Sequence, residues 1–265
     1  MTPGYPEQFY NDLENAGVDR ALEQQPAALP IYRSWVKRMD EVPDRFERKA
    51  LIKRAAFALR DSSRDSEAAH FWIGVFKECL DREPQELFSS CWQLMDSIGR
   101  VATADNFDEL AALTGDPFYI QCMTMCFEQY FAKSKDQRVP EVLRRLMEPE
   151  EIYDAGRIMY GAEIAANRKF LELIPTAENL LARLRAEKPD GRFDALEDAL
   201  YRLYRARYIQ ELYADGKAKV DISRVLADLD GSHAERAAFA AYVLGDLKAA
   251  GALGRLRELT TSSNV

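Results

Sequence analysis

Phe118-Tyr-Ile-Gln-Cys-Met-Thr-Met-Cys-Phe-Glu-Gln-Tyr-Phe131 decides the fold. Only Gln121, Thr124, Glu128 and Gln129 offer polar side chains, so a helix over 117–133 is apolar nearly all round and must be central and buried. Working back along the chain, Leu87, Phe88, Cys91, Trp92, Met95 and Ile98 recur at helical spacing, as do Phe71, Trp72, Val75, Phe76 and Leu80. These three segments are expected to form the core of the N-terminal half.

The same three- and four-residue recurrence runs through most of the 265 residues, and strict alternation over strand length is hard to find. The spacing predicts an all-α chain, with helices over 6–15, 18–25, 27–41, 44–61, 65–81, 84–101, 106–113, 117–133, 138–147, 149–174, 176–187, 192–215, 221–229, 232–247 and 249–260. Only 13 Gly and 11 Pro leave little punctuation for the dense turns of an all-β domain. Breaks fall at signals such as Val42-Pro43, Thr114-Gly115-Asp116-Pro117, Pro189-Asp190-Gly191 and Asp230-Gly231-Ser232. Connections are short, so successive helices are expected to pack as antiparallel hairpins. One helical domain over 1–265 is expected, softly subdivided into 1–148 and 149–259 at Glu148-Pro149, with a frayed tail over 260–265.

With 36 Lys+Arg against 44 Asp+Glu, the formal charge is −8. That balance favours solubility, disfavours nucleic acid and anionic lipid, and tilts the expected partner toward a basic protein. Pro3, Pro6 and Glu7 stand where an export signal needs a basic stretch and an apolar run. No apolar segment reaches the roughly 18–20 residues that span a bilayer. A soluble, cytoplasmic chain without membrane contact is expected. In that setting Cys79, Cys91, Cys122 and Cys126 are expected as free, buried thiols, since their spacing fits no zinc pattern of the Cys-x2-Cys kind.

The stretch Ala234-Glu-Arg-Ala-Ala-Phe-Ala-Ala-Tyr-Val-Leu-Gly-Asp-Leu-Lys-Ala-Ala-Gly-Ala-Leu-Gly-Arg-Leu-Arg-Glu-Leu259 resembles a HEAT-type helical repeat. It has an Arg-Ala-Ala opening, Leu244-Gly245-Asp246 at the inter-helix turn, and Ala252-Leu253 with Leu256 on a second helix; Gly245 is expected to end the first helix with a left-handed cap. The resemblance implies stacked helical pairs whose surface binds other macromolecules. It covers about a tenth of the chain, and the signature does not recur upstream at a fixed period. An irregular α-solenoid and a compact multi-helix bundle both remain open.

Two motifs match carboxylate–imidazole half-sites: Glu67-Ala-Ala-His70 and Asp230-Gly-Ser-His233. The first puts Glu67 and His70 on one helix face, as a di-iron bundle's Glu-x-x-His requires, but a full site needs further carboxylates from two other helices. Nucleophile elbows and phosphate-cradling glycine loops do not occur. Adjacent carboxylates such as Glu150-Glu151 and Glu197-Asp198 diverge by about 100° on a helix and are expected in solvent. Arg45, Lys49, Lys53 and Arg60 share a sector of helix 44–61 opposite Leu51, Ala55 and Ala58, which reads as an ordinary solvated face.

Tyr201-Arg-Leu-Tyr-Arg-Ala-Arg-Tyr208 carries the candidate site. Tyr201, Tyr204 and Tyr208 share one stripe with Arg205 beside it, the residue types enriched at binding hot spots. A tyrosine-rich core seam with snorkelling arginines would give the same pattern. The expectation is a protein-binding helical scaffold without cofactor or catalytic activity: an adaptor or assembly subunit, or an acidic immunity-type inhibitor of a basic toxin. The competing class is an all-α enzyme with a metal site near Glu67 and His70.

Overall fold

The computed structural model describes residues 5–42, 44–82, 84–148, 155–230 and 234–262. Among these every regular element is helical, so the chain is all-α. It divides into two compact units, Met1–Ile164 and Ala165–Val265. The division lies inside a continuous helix, whereas the expected subdivision at 148/149 abuts residues 149–154, outside the described residues.

The first unit starts with α1 (Tyr5–Asn15) and α2 (Leu29–Val36), joined where Phe9, Leu13, Tyr32 and Trp35 bury together and the Trp35 indole donates to Asp12 at 2.9 Å. α3 (Arg45–Arg60) follows an Asp44 cap whose carboxylate accepts from the Phe46 and Glu47 amides at 2.7 and 3.2 Å, satisfying two otherwise orphaned donors. Asp65 caps α4 (Ser66–Arg82) likewise through the Glu67 and Ala68 amides. α5 (Pro84–Val101) packs on both α3 and α4. Small residues allow α3 and α5 to approach closely: the Ser97 hydroxyl donates to the Ala56 carbonyl at 2.7 Å. Trp72, Phe76, Leu80, Cys91, Met95 and Ile98 are buried as the spacing implies, while Phe71 and Trp92 sit half-buried at the edge. The side chains of Leu87 and Phe88 lie outside the described residues.

After α6 (Phe107–Leu113) the expected continuous helix over 117–133 is instead broken. α7 (Pro117–Cys122) stops at Met123, α8 (Thr124–Cys126) follows, and Phe127–Phe131 widens to a π-turn in which the Ala132 amide reaches the Phe127 carbonyl at 2.8 Å. The segment is nonetheless buried, with Cys122, Met123, Cys126, Phe127 and Phe131 inaccessible. It lies so close to α5 that a Cβ on Gly99 would come within 3.1 Å of the Cys126 backbone and of Gln129 Cβ. Seating the apolar segment on that glycine takes precedence over regular helical winding. α9 (Val139–Met147) and α10 (Ala155–Arg168), within which the unit ends, meet at Gly161, where an added Cβ would sit 2.8 Å from Met147.

In the second unit α11 (Ile174–Glu187) pairs with α12 (Asp194–Leu212), and α12 then meets α13 (Ile222–Leu229) and α14 (Ala234–Asp246). Tyr208, Val225, Leu229, Phe239, Val243 and Leu244 form the buried cluster between those last three helices. α15 (Leu253–Ser262) closes the described chain.

Gly245 does not provide the left-handed cap: α14 runs through it, and Lys248 takes the positive φ of 51°. The Ala249 amide reaches back to the Leu244 carbonyl and the Lys248 amide to Gly245, both at 3.0 Å, which is a Schellman closure. The cap falls later because Leu247 still packs on the buried cluster. Lys169 ends α10 in the same way, with φ 58° and the Phe170 amide on the Ala165 carbonyl at 2.9 Å. Since a side chain in this region costs about 1–2 kcal/mol, partly offset by the extra unfolded-state freedom of glycine, Lys248→Gly should stabilise the chain by roughly 0.5–1 kcal/mol. Denaturant unfolding of the variant checks this, and Lys248→Val should move the midpoint in the opposite direction.

Candidate functional site

The tyrosine stripe of α12 lies against α13 and α14, and its members divide between seam and surface. Tyr208 is 6% exposed, its ring 6.0 Å from that of Phe239, its hydroxyl donating to Asp228 at 2.8 Å. Tyr201 stacks on the other side of the seam, 4.9 Å from Phe239. Tyr204 is half-buried and donates its hydroxyl to Glu178 of α11. Arg205 is half-buried, its guanidinium 4.9 Å above the ring of Tyr242 from α14. Tyr242 keeps 52% of its surface exposed, so the Arg205–Tyr242 pair forms an open shelf above the Tyr201–Phe239–Tyr208 seam. Arg207 lies over the Tyr204 ring at 5.2 Å.

Carboxylates brace this seam. Asp228 also accepts from Arg236 at 2.8 Å. Burial pushes its carboxyl up, but the hydrogen bonds from Arg236 and Tyr208 outweigh that and hold it below the usual range. Burial, then the bond to Asp228, raises the Tyr208 phenol well above its ordinary value. Further along, Asp246 accepts from Lys217 at 2.6 Å and Tyr213 at 2.8 Å and is lowered by both, while burial and that bond push the Tyr213 phenol up to about 12.

Glu67 and His70 are both exposed on α4, and the His70 ring, 76% exposed, pairs at 3.0 Å with Glu109 of α6. No group of three His, Cys, Asp or Glu side chains arranged for a metal ion occurs among the described residues. Asp230 pairs with Arg255 at 2.6 Å; His233 lies outside the described residues. Glu197 and Asp198 part company, toward Arg185 and Arg202, each at 2.8 Å. All four cysteines are free and buried. Hydrogen bonding with Cys79 and then burial push the Cys91 thiol far up, and burial does the same to Cys126, so neither ionises readily. On α3, Arg45 and Arg60 lie over Phe46 and Phe57, at 5.0 and 5.3 Å.

Net charge is unevenly divided. Residues 1–164 carry 20 Lys+Arg against 29 Asp+Glu, whereas residues 165–265 carry 16 against 15. The acidic excess therefore belongs to the first unit, and the tyrosine–arginine shelf sits in the nearly neutral second one. None of the described helices is long and apolar enough to cross a membrane. The chain matches no family model, no curated protein and no solved structure.

Proposed function

We propose that this chain is a cytoplasmic, protein-binding helical scaffold, an adaptor or an acidic inhibitor of a basic protein, and that the Arg205–Tyr242 shelf is one of its contact surfaces. The observation that carries the proposal is the half-exposed Tyr242 ring held under the Arg205 guanidinium at 4.9 Å. Tyrosine and arginine supply large, amphipathic contact area at small rotamer cost and dominate binding hot spots. The shelf is also pre-organised, because Tyr201, Phe239 and Tyr208 fix the two helices beneath it. The acidic excess of residues 1–164, outside the unit that carries the shelf, supports a basic partner for the chain as a whole.

A photoreactive residue at position 242 tests this in the native host. Cross-linking to one partner is expected, and the cross-link should be lost when Arg205→Ala is added. Equal cross-linking from position 46, an exposed phenylalanine on the first unit, would contradict the assignment of the shelf.

A further inference from the structure

Arg205 is half-buried in α12, yet no described residue supplies it with a carboxylate or a hydrogen-bond acceptor; its guanidinium only stacks on the Tyr242 ring, at 4.9 Å. Stacking occupies the face of a guanidinium and leaves the N–H groups around its edge free to donate. None of the Arg205 nitrogens is sealed from solvent, so these unpaired donors can be reached from outside.

Its own helix cannot provide the missing anion. The positions three and four residues away are Tyr201, Arg202, Tyr208 and Ile209, and Arg202 is itself paired with Asp198 at 2.8 Å. The carboxylates that brace the seam are committed elsewhere: Asp228 to Tyr208 and Arg236, Asp246 to Tyr213 and Lys217, Glu178 to Tyr204. Arg207, two residues on and so about 200° around the helix, lies over Tyr204 instead. Among the described residues the shelf therefore holds a single uncompensated cation, which matches one carboxylate better than a doubly charged phosphate.

Beside that cation the surface is apolar and open. Along α14, Tyr242 has Ala238 one turn before it and Gly245 one turn after, both exposed, and a Cβ on Gly245 would meet nothing within 4 Å. Small neighbours leave room for an apolar side chain against the part of the ring that Arg205 does not cover.

We propose that the shelf binds an acidic segment of the partner protein, in which an aspartate or glutamate carboxylate accepts from Arg205 and a neighbouring apolar side chain packs on Tyr242. This rests on the reading of the shelf as a contact surface. Charge complementarity selects the occupant: the acidic excess lies in residues 1–164, whereas residues 165–265 carry 16 Lys+Arg against 15 Asp+Glu and set up no net negative field to repel an anion. A half-buried guanidinium has already shed part of its water, so a carboxylate that docks on it forms a charge-assisted, two-pronged bond at smaller desolvation cost than on a fully exposed arginine. The contact at the shelf is thus opposite in sign to the attraction exerted by the first unit.

The probe is a random dodecapeptide library displayed on phage, selected on the full chain and counter-selected on Tyr242→Ala. Peptides that need Tyr242 should carry Asp or Glu next to an aromatic or branched aliphatic residue. Replacing that acid by its amide should weaken binding to the parent chain at least about fivefold, as expected of a close charge pair. The same exchange should alter binding to Arg205→Gln by less than about twofold, because the charge it pairs with is then gone. Both variants are checked for helical circular dichroism equal to that of the parent. Peptides that depend on Tyr242 but are neutral or basic, or acidic ones indifferent to the amide exchange, would overturn the proposal and leave the shelf as a contact surface. Absence of any Tyr242-dependent peptide would overturn the shelf reading, and this inference with it.

Discussion

Tyr208→Ala should destabilise the second unit by about 3–5 kcal/mol, read from denaturant unfolding, because truncating a buried aromatic removes its contacts and leaves a cavity. The ring sits on Phe239 at the centre of the seam, and its hydroxyl is one of two donors holding Asp228. Tyr208→Phe separates the two contributions: keeping the ring, it should cost only about 0.5–1.5 kcal/mol. That smaller loss should depend on pH. Asp228 is held below the usual carboxylate range, so the stability it contributes is present above its unfolded value near 3.9 and is lost as pH falls through the lower folded value. The gap between Tyr208→Phe and the parent chain should therefore narrow below about pH 4. A gap that widened in acid would contradict the role given to Asp228.

The first unit has its own large expected effect at Trp72. This side chain is fully buried in α4, edge-on to Phe71 at 5.1 Å, and Trp72→Ala should cost about 3–5 kcal/mol. Its indole N–H has no hydrogen-bond acceptor among the described residues. Trp72→Phe keeps much of the apolar volume and discards that unsatisfied donor, so it should cost less than about 1.5 kcal/mol. Equal losses for the two variants would mean that the indole nitrogen is bonded in solution.

Helix positions were legible where local signals and burial agree. The expected segment 84–101 coincides with α5, and the segment 44–61 differs from α3 by one residue at each end, where Asp44 serves as the cap. The broken winding of 117–133 was not legible. An all-round apolar pattern says that a helix is buried, but the π-turn is set by close approach to Gly99, eighteen or more residues earlier in sequence. The lysines at positive φ escaped for a related reason: glycine is the residue that signals such a cap, and Gly245 stood nearby as a decoy. At the candidate site, spacing placed Tyr201, Tyr204, Tyr208 and Arg205 together on α12. It carried no information on what α14 brings to them, so Tyr242 and Phe239 were missed, as was Glu109 beside His70. Periodicity reports the face of one helix and is silent on its neighbour.

The central claim is that the Arg205–Tyr242 shelf binds a protein while the seam beneath it holds the unit together. The most direct measurement takes the partner cross-linked at position 242 and determines its affinity for the parent chain, Arg205→Ala and Tyr242→Ala, alongside each melting temperature. Each substitution should weaken binding by about 1–3 kcal/mol, roughly 5- to 150-fold, with melting shifted by no more than a degree or two. Unchanged affinity, or a loss that simply follows a drop in melting temperature, would contradict the account.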